Sequence, residues 1–463
     1  MNSVFLTIAI PFVSAFIIAC LPKKIKSLSS LFVLVATFLS SLFCMFFYLK
    51  HNSSLYNYAI TAWLSFSFLC DWLSSFMATV SSFVACLIAL YALEYMRGYE
   101  KQDEFYFWMV LFVGSMMGLI FSANLLLMYC FWEITAICSW RLISFYRKEE
   151  DAKAADRAFL ITFFGASFLL VGIILIFLQF QTLDIFLLKG KALADTIAFF
   201  MLAGIIAKSA QIPLQAWLPD AGVAPTPVTA LFHAAVLVKI GVYAFARFFG
   251  TTFLVSAEFL KTVLILSVFT IIVSAGSALV ENNIKRILAY STISQLGYML
   301  FAFALGGKEA ILIGLIYILA HSLAKAGLFL CAGIVEHSAH TKDINELGGF
   351  LKAMPLVAVG YILCAFSIIG IPPFLGFWPK FFLIIFSVKQ NYIGMSVFLV
   401  VGAFLTLLYL FRLFDKVFLG TQKKVITTEK VSLMTTAVLI FGVISLICGL
   451  GFNFLFNFIQ KIL

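Results

Sequence analysis

Charge is scarce in this chain and acid is scarcest: 463 residues hold 21 Asp and Glu against 31 Lys and Arg, 11% charged in all. So little charge cannot cover a water-facing surface, which excludes an ordinary soluble enzyme. Nine cysteines are scattered without a CxxC pair, and Cys130 and Cys138 stand too far apart for a cluster or zinc motif. Iron–sulfur, zinc and disulfide frameworks therefore have no footing, and the thiols read as small residues in helix packing. No soluble stretch is long enough to hold a nucleotide or a redox centre, so no cofactor is expected and the chain alone is expected to do no bond chemistry. The first apolar run, 4–21, has no basic residue before it and Lys23, Lys24 and Lys26 after it. That is the reverse of a cleavable signal, so it reads as a retained span.

What is abundant is apolar: 63% of the residues, with 54 Phe. Runs of about 18 or more apolar residues, each long enough to cross a bilayer core, recur from end to end. The fold class expected is an all-α polytopic membrane protein of about fourteen spans between 3 and 459, the last over 432–459. The 353–388 run is too long for one straight span and is interrupted by Gly370, Pro372 and Pro373, so it reads as a broken helix. Residues 52–71 alternate polar with aromatic or β-branched residues and predict a short hairpin outside the membrane. The net charge of +10 calls for no nucleic-acid partner. Eighteen lysines and arginines fall in the odd-numbered loops and eight in the even loops and termini, which places both termini on the non-cytoplasmic side.

With Arg141 set near a span end, four lysines escape that count: Lys208, Lys239, Lys325 and Lys380 lie inside apolar segments, and Glu133 is the one acid read as equally deep. A charge at mid-membrane costs about 2.5–3.5 kcal/mol on the gentlest scale. Five uncompensated charges would cost on the order of 12 kcal/mol, comparable to a domain's whole stability. The bland alternatives are snorkelling from a span end and a purely structural ion pair. Context argues for function. Lys208 stands five residues before Pro213, and Lys380 stands seven after Pro373. A proline at depth frees backbone groups that need a wet or protein-lined cavity. The stretches "IPLQAWLP" (212–219) and "PFLGFWP" (373–379) share a proline-to-proline spacing and an internal tryptophan, the pattern of transporters built on internal repeats. His321 and Lys325 are four apart and share a helix face, while His233 and Lys239 are six apart. Histidine titrates near neutrality and desolvation destabilises a lysine's charge, so such groups alternating with water make a proton path. No ligand set for a metal accompanies them. His337 and His340 read as loop structure at a span end.

The stretch "KSAQIPLQAWLPDAGVAPTPVTALFHAAVLVKIGVYAFARF" (208–248) resembles the signature of the antiporter-like subunits of respiratory complex I. That family also includes the large Mrp cation/proton antiporter subunits and the ion-pumping subunits of membrane-bound hydrogenases. "LLLMYCFWEITAICSW" around Glu133, "ENNIKRILAYSTISQLGYM" (281–299), "HSLAKAGLFLCAG" (321–333), "HTKDINELGG" (340–349) and "GIPPFLGFWPK" (370–380) extend the match. The resemblance implies two inverted five-helix repeats, 106–248 and 259–415, each with a broken helix, flanked by helices in 1–105 and 432–463. It implies that Glu133 pairs with Lys208, that His233 and Lys239 follow on the path, that His321 and Lys325 form a central axis, and that Lys380 ends the second half-channel. Arg141 falls where the family usually has a neutral residue, and the long lateral helix of one complex I subunit is not expected. The implied function is translocation of protons, or of sodium, by one membrane subunit among several in a redox-driven complex in the cell membrane. An Mrp-type cation/proton antiporter subunit is the alternative. A stand-alone solute symporter and a membrane scaffold with vestigial charges are the rivals from other classes.

Overall fold

The computed structural model describes residues 2–59, 65–235, 237–424 and 432–462. Residues 60–64, at the turn of the expected hairpin, and Lys430 of the loop count lie outside the described residues. Among the described residues twelve helices are long and apolar enough to cross a membrane, which makes this a multi-pass membrane protein. Their starts are written in the sequence. Asp71 caps the helix Trp72–Tyr95 by accepting from the Ser74 amide at 2.9 Å while Ser74 Oγ accepts from the Asp71 amide at 2.9 Å, a reciprocal box. Asn124, Ser256, Asn283 and Ser432 cap four later helices by accepting from first-turn amides, without the reciprocal bond, each worth about 1 kcal/mol.

Burial sorts the helices into layers. Every described residue of 226–249 is buried, as are nearly all of Ile284–Leu305 and most of Gly307–Ala339, whereas most of Ile25–His51 is not and Phe32, Phe43 and Phe46 point outward. Without water, an outer apolar face carries no penalty, so these helices need no amphipathic polar stripe. The expected hairpin is present as antiparallel strands Ser54–Ala59 and Ser65–Cys70, with Ser54 opposite Cys70.

Two further helices are interrupted. Asp195–Lys208 stops at the lysine itself, and the chain resumes as Trp217–Asp220. Pro355–Ile369 stops at Gly370, which takes φ 92° as the left-handed C-cap, and resumes as Phe377–Lys389. Gly376 has no room for a side chain, since a Cβ there would collide with the Ser367 carbonyl oxygen. The reading of 432–459 as one span is corrected: Leu433–Leu450 ends at Gly451, and Phe452–Ile462 is a separate helix. Glycines at 449 and 451 weaken the helix there, and Phe452 stacks on Trp378 at 4.5 Å beside the second break.

Connections predicted to share a face do touch one another. Asp220 accepts from Arg157 and from Arg286 at 2.6 Å each, and Lys424 pairs with Glu346 at 2.8 Å, all from odd-numbered loops or the helix ends beside them. Among the even-numbered loops, the Ala123 amide donates to the Ser67 carbonyl at 2.8 Å, and the Gly190 amide to that of Thr252 at 2.7 Å.

Candidate functional site

The two breaks place the two lysines in related electrostatic settings. A helix C-terminus carries unsatisfied carbonyls and partial negative charge. Lys208 closes the last turn of Asp195–Lys208, is 1% exposed, and donates from Nζ to the Trp132 carbonyl at 3.4 Å while standing 5.6 Å over the Trp132 ring. Lys380 lies on the far side of its own break and reaches back to the end of Pro355–Ile369, donating to the carbonyls of Ile368 at 2.6 Å and Ile369 at 3.2 Å. The Tyr298 ring flanks it at 5.3 Å. The tryptophans noted in the sequence secure the breaks: Trp217 Nε1 donates to the Ala207 carbonyl at 2.9 Å and Trp378 Nε1 to that of Gly449 at 3.0 Å. Gln211 and Gln215, inside the first break, each keep a buried amide oxygen that finds no partner among the described residues.

Between the breaks lie the remaining buried bases. His233 sits in a π-helical turn, Leu231–Ala235, a local widening associated with functional sites, and stacks on Phe329 at 4.3 Å. Lys325 Nζ donates to the Leu288 carbonyl at 3.1 Å. Both ring nitrogens of His233, both of His321 and the Nζ of Lys239 have no hydrogen-bond partner among the described residues, although all three residues are buried. A buried polar atom left unpaired costs about 1–3 kcal/mol, so this cluster works against stability and calls for a functional reason. His321 stands within electrostatic range of Lys239, Lys325, His233 and Lys380, which makes it the middle of the array. A buried polar lattice continues toward Lys380: Tyr317 Oη donates to Gln295 Oε1 at 2.7 Å, and Ser291 and Tyr409 share a hydrogen bond of 2.6 Å.

One expected contact is not made. Glu133 and Lys208 feel each other electrostatically but form no ion pair; Glu133 is only half-buried, on a helix face shared with exposed Cys130 and Ile137, hydrogen-bonds Tyr129, and keeps Oε1 without a partner among the described residues. Glu133 is also not alone among occluded acids. Arg247, assigned to a loop in the sequence, is 2% exposed and pairs with Asp71; Lys285, likewise assigned, is 1% exposed and pairs with Glu336 at 2.7 Å. Both pairs lie at span ends, where a charge is ordinarily read as solvated. The asparagine cap at Asn283, which puts Lys285 in the first helical turn, was the available signal for one of them. Arg141 has a structural explanation: its Nε donates to Glu104 at 2.5 Å, and Arg147 shares that carboxylate at 2.7 Å. His337 and His340 are the last turn and the cap of Gly307–Ala339, on the wall of a cavity of about 510 Å³ that reaches Glu336. Among the described residues no three His, Cys, Asp or Glu gather as a metal site.

A family described as "NADH:quinone oxidoreductase/Mrp antiporter, TM" matches residues 122–406, and one described as "NADH-Ubiquinone oxidoreductase (complex I), chain 5 N-terminus" matches 59–106. The chain is 35% identical over 446 residues to NADH-quinone oxidoreductase subunit L of Buchnera aphidicola subsp. Acyrthosiphon pisum, covering 91% of this chain and 72% of that one. It is 35% identical over 370 residues to Na(+)/H(+) antiporter subunit A1 of Staphylococcus saprophyticus, covering 73% of this chain but 46% of that longer one. A chain in the structure of the Mrp complex from Dietzia sp. superposes with a TM-score of 0.92 at 23% identity, over 100% of this chain and 97% of that one.

Proposed function

The chain belongs to the NADH:quinone oxidoreductase/Mrp antiporter family, and on that premise we propose that it is a proton-translocating membrane subunit of a redox-driven complex. The observation that carries the reading is the buried row Lys208, His233, Lys239, His321, Lys325 and Lys380, with a lysine at each helix break and polar atoms left free to exchange protons. The interrupted helices count as spans seven and twelve, giving fourteen, with 106–248 and 259–415 as inverted repeats. Pro213, Pro372 and Pro373 keep the breaks open. Loop charge places both termini on the non-cytoplasmic side.

Glu133 acts as the switch. When it approaches Lys208 the lysine holds its proton; when it withdraws, the charge is stranded in an apolar site and the proton moves toward His321, Lys325 and then Lys380. The groups titrate as a set. Electrons and substrate are handled by other subunits, and the partners of this chain are the other membrane subunits of its complex. A second reading, a subunit of a cation/proton antiporter, is favoured by the similarity to antiporter subunit A1. Sealed vesicles carrying the intact complex separate the two. Donor-driven acidification that Lys325→Ala abolishes, with donor oxidation continuing, supports the first; proton movement driven only by an imposed sodium gradient supports the second.

A further inference from the structure

The pair Asp71–Arg247 has no part in the row just described, yet it stands between that row and the outside. Asp71 ends the hairpin and Arg247 ends the buried segment that carries Lys239. Their contact is bidentate: Nη1 donates to Oδ2 at 2.5 Å and Nη2 to Oδ1 at 2.9 Å. On its outer side the pair floors a cavity of about 290 Å³, whose wall also includes Tyr48, Lys189 and Thr252. On its inner side Arg247 donates from Nε and from Nη2 to the Tyr243 hydroxyl, both at 3.2 Å, and that hydroxyl donates to the Ile120 carbonyl at 2.5 Å. Lys239, Tyr243 and Arg247 recur at four-residue intervals, so they stack down one face of the segment, and the Lys239 Nζ below has no partner among the described residues. A cavity, a bidentate ion pair and a tyrosine hydroxyl are thus in contact in that order, and a buried amine follows one helical turn further along the same face.

We propose that Asp71 and Arg247 are the gate at the hairpin-side mouth of the translocation path, and that Tyr243 is the relay behind it. The inference rests on the functional reading above. A guanidinium has five donors, no acceptor and no accessible neutral form, so a proton cannot be passed through it. Its fixed charge at a mouth also opposes the entry of any cation, as charged residues do in selective pores. With the pair closed, Tyr243 is held by Arg247 and the path ends. With the pair parted and water admitted, a proton leaves the Lys239 ammonium through water for the Tyr243 oxygen as the hydroxyl proton passes to the freed Asp71 carboxylate. The carboxylate then releases it to the outer cavity, so Lys239 ends neutral and Tyr243 and Asp71 end unchanged. A purely structural staple between hairpin and helix predicts no such dependence on Lys239.

The test uses the purified complex reconstituted in liposomes that enclose a pH-sensitive dye, with a valinomycin–potassium diffusion potential and no electron donor. The variant Arg247→Gln removes the guanidinium that occupies Asp71 and leaves the carboxylate free to take up and release a proton, as in the open gate. It should leak protons at least tenfold faster than the unaltered complex, and adding Lys239→Met should return the leak to the unaltered level. No leak, or a leak that survives Lys239→Met, overturns the gate. Should Arg247→Gln fail to assemble, Tyr243→Phe decides, because it leaves the ion pair in place. Donor-driven pumping should then fall at least fivefold with no added leak, and pumping at the normal rate overturns the relay. Passive leak and donor-driven pumping are separate measurements, so an unaltered complex that fails to pump refutes the functional reading without deciding the gate.

Discussion

If Glu133 is a moving switch and not half of a fixed ion pair, removing it should be cheap in stability and ruinous for pumping. The structure sets the magnitudes. Lys208 makes one hydrogen bond, long at 3.4 Å, and one ring contact at 5.6 Å, so Lys208→Met forfeits about 1 kcal/mol for the bond and about 1–2 kcal/mol for the cation–π contact. Against this, the variant no longer buries a charge that costs about 2.5–3.5 kcal/mol at membrane depth. The two nearly cancel, and the complex should assemble. Glu133→Gln removes a half-buried carboxylate that closes no ion pair, so it should not incur the roughly 3–5 kcal/mol that follows when a closed buried pair loses a partner. In a double-mutant cycle on thermal unfolding of the purified complex, the coupling between the sites should stay below about 1 kcal/mol. Dye-monitored pumping in sealed vesicles should nevertheless be abolished by either single change and by Glu133→Gln with Lys208→Met together. A coupling near 4 kcal/mol, or a double variant that pumps at the normal rate, would show a structural pair and refute the switch.

Lys285 and Glu336 should behave in the opposite way: they touch at 2.7 Å with Lys285 1% exposed, so Glu336→Gln should cost about 3–5 kcal/mol, read as a lowered melting temperature and a lower yield of assembled complex. Glu281 lies in a loop outside the spans; burial opposes its charge, but hydrogen bonds from Arg286 and from the amides of Asn283 and Asn282 hold its carboxyl below the ordinary 4.5. Its stabilisation is therefore fully present above pH 4.5 and lost as pH falls through the lower folded value, so Glu281→Gln should flatten the acid side of a melting-temperature profile and leave the neutral side parallel to the unaltered protein. A cysteine at Lys424 should react with a membrane-impermeant maleimide only from the cytoplasmic side, and labelling from outside overturns the orientation.

Most of the helical plan and the row of bases could be read from the chain because both rest on local, one-dimensional signals. Apolar length reports a span, and a lysine inside such a run is anomalous wherever the helices pack. The breaks were legible for the same reason: proline and glycine act on their own backbone, and the break at 370–376 opens on the Gly370 cap. What stayed hidden depends on the third dimension. Arg247 and Lys285 looked like loop charges because they sit at span ends, and only the approach of the hairpin to one and of Glu336 to the other occludes them. The π-helical turn at His233, whose ring stacks on Phe329, 96 positions away, has no signature in "LFHAA".

The relation between Glu133 and Lys208 was illegible for a different reason. Matching two residue types at depth says that they can meet, not that they have met. Here the acid faces outward with Cys130 and Ile137 while the lysine turns inward to Trp132, and each keeps incomplete satisfaction. A pair built for stability would be closed, as Lys285–Glu336 is at a span end. The membrane-buried charges are thus of two kinds: closed pairs at the span ends, and open, under-bonded bases between them. Ion movement needs the second kind, because a charge already held by its best partner has nowhere lower in free energy to go. An isolated row of satisfied lysines would be a scaffold, and an isolated row of free ones would not fold; the closed ends let the middle stay unsatisfied.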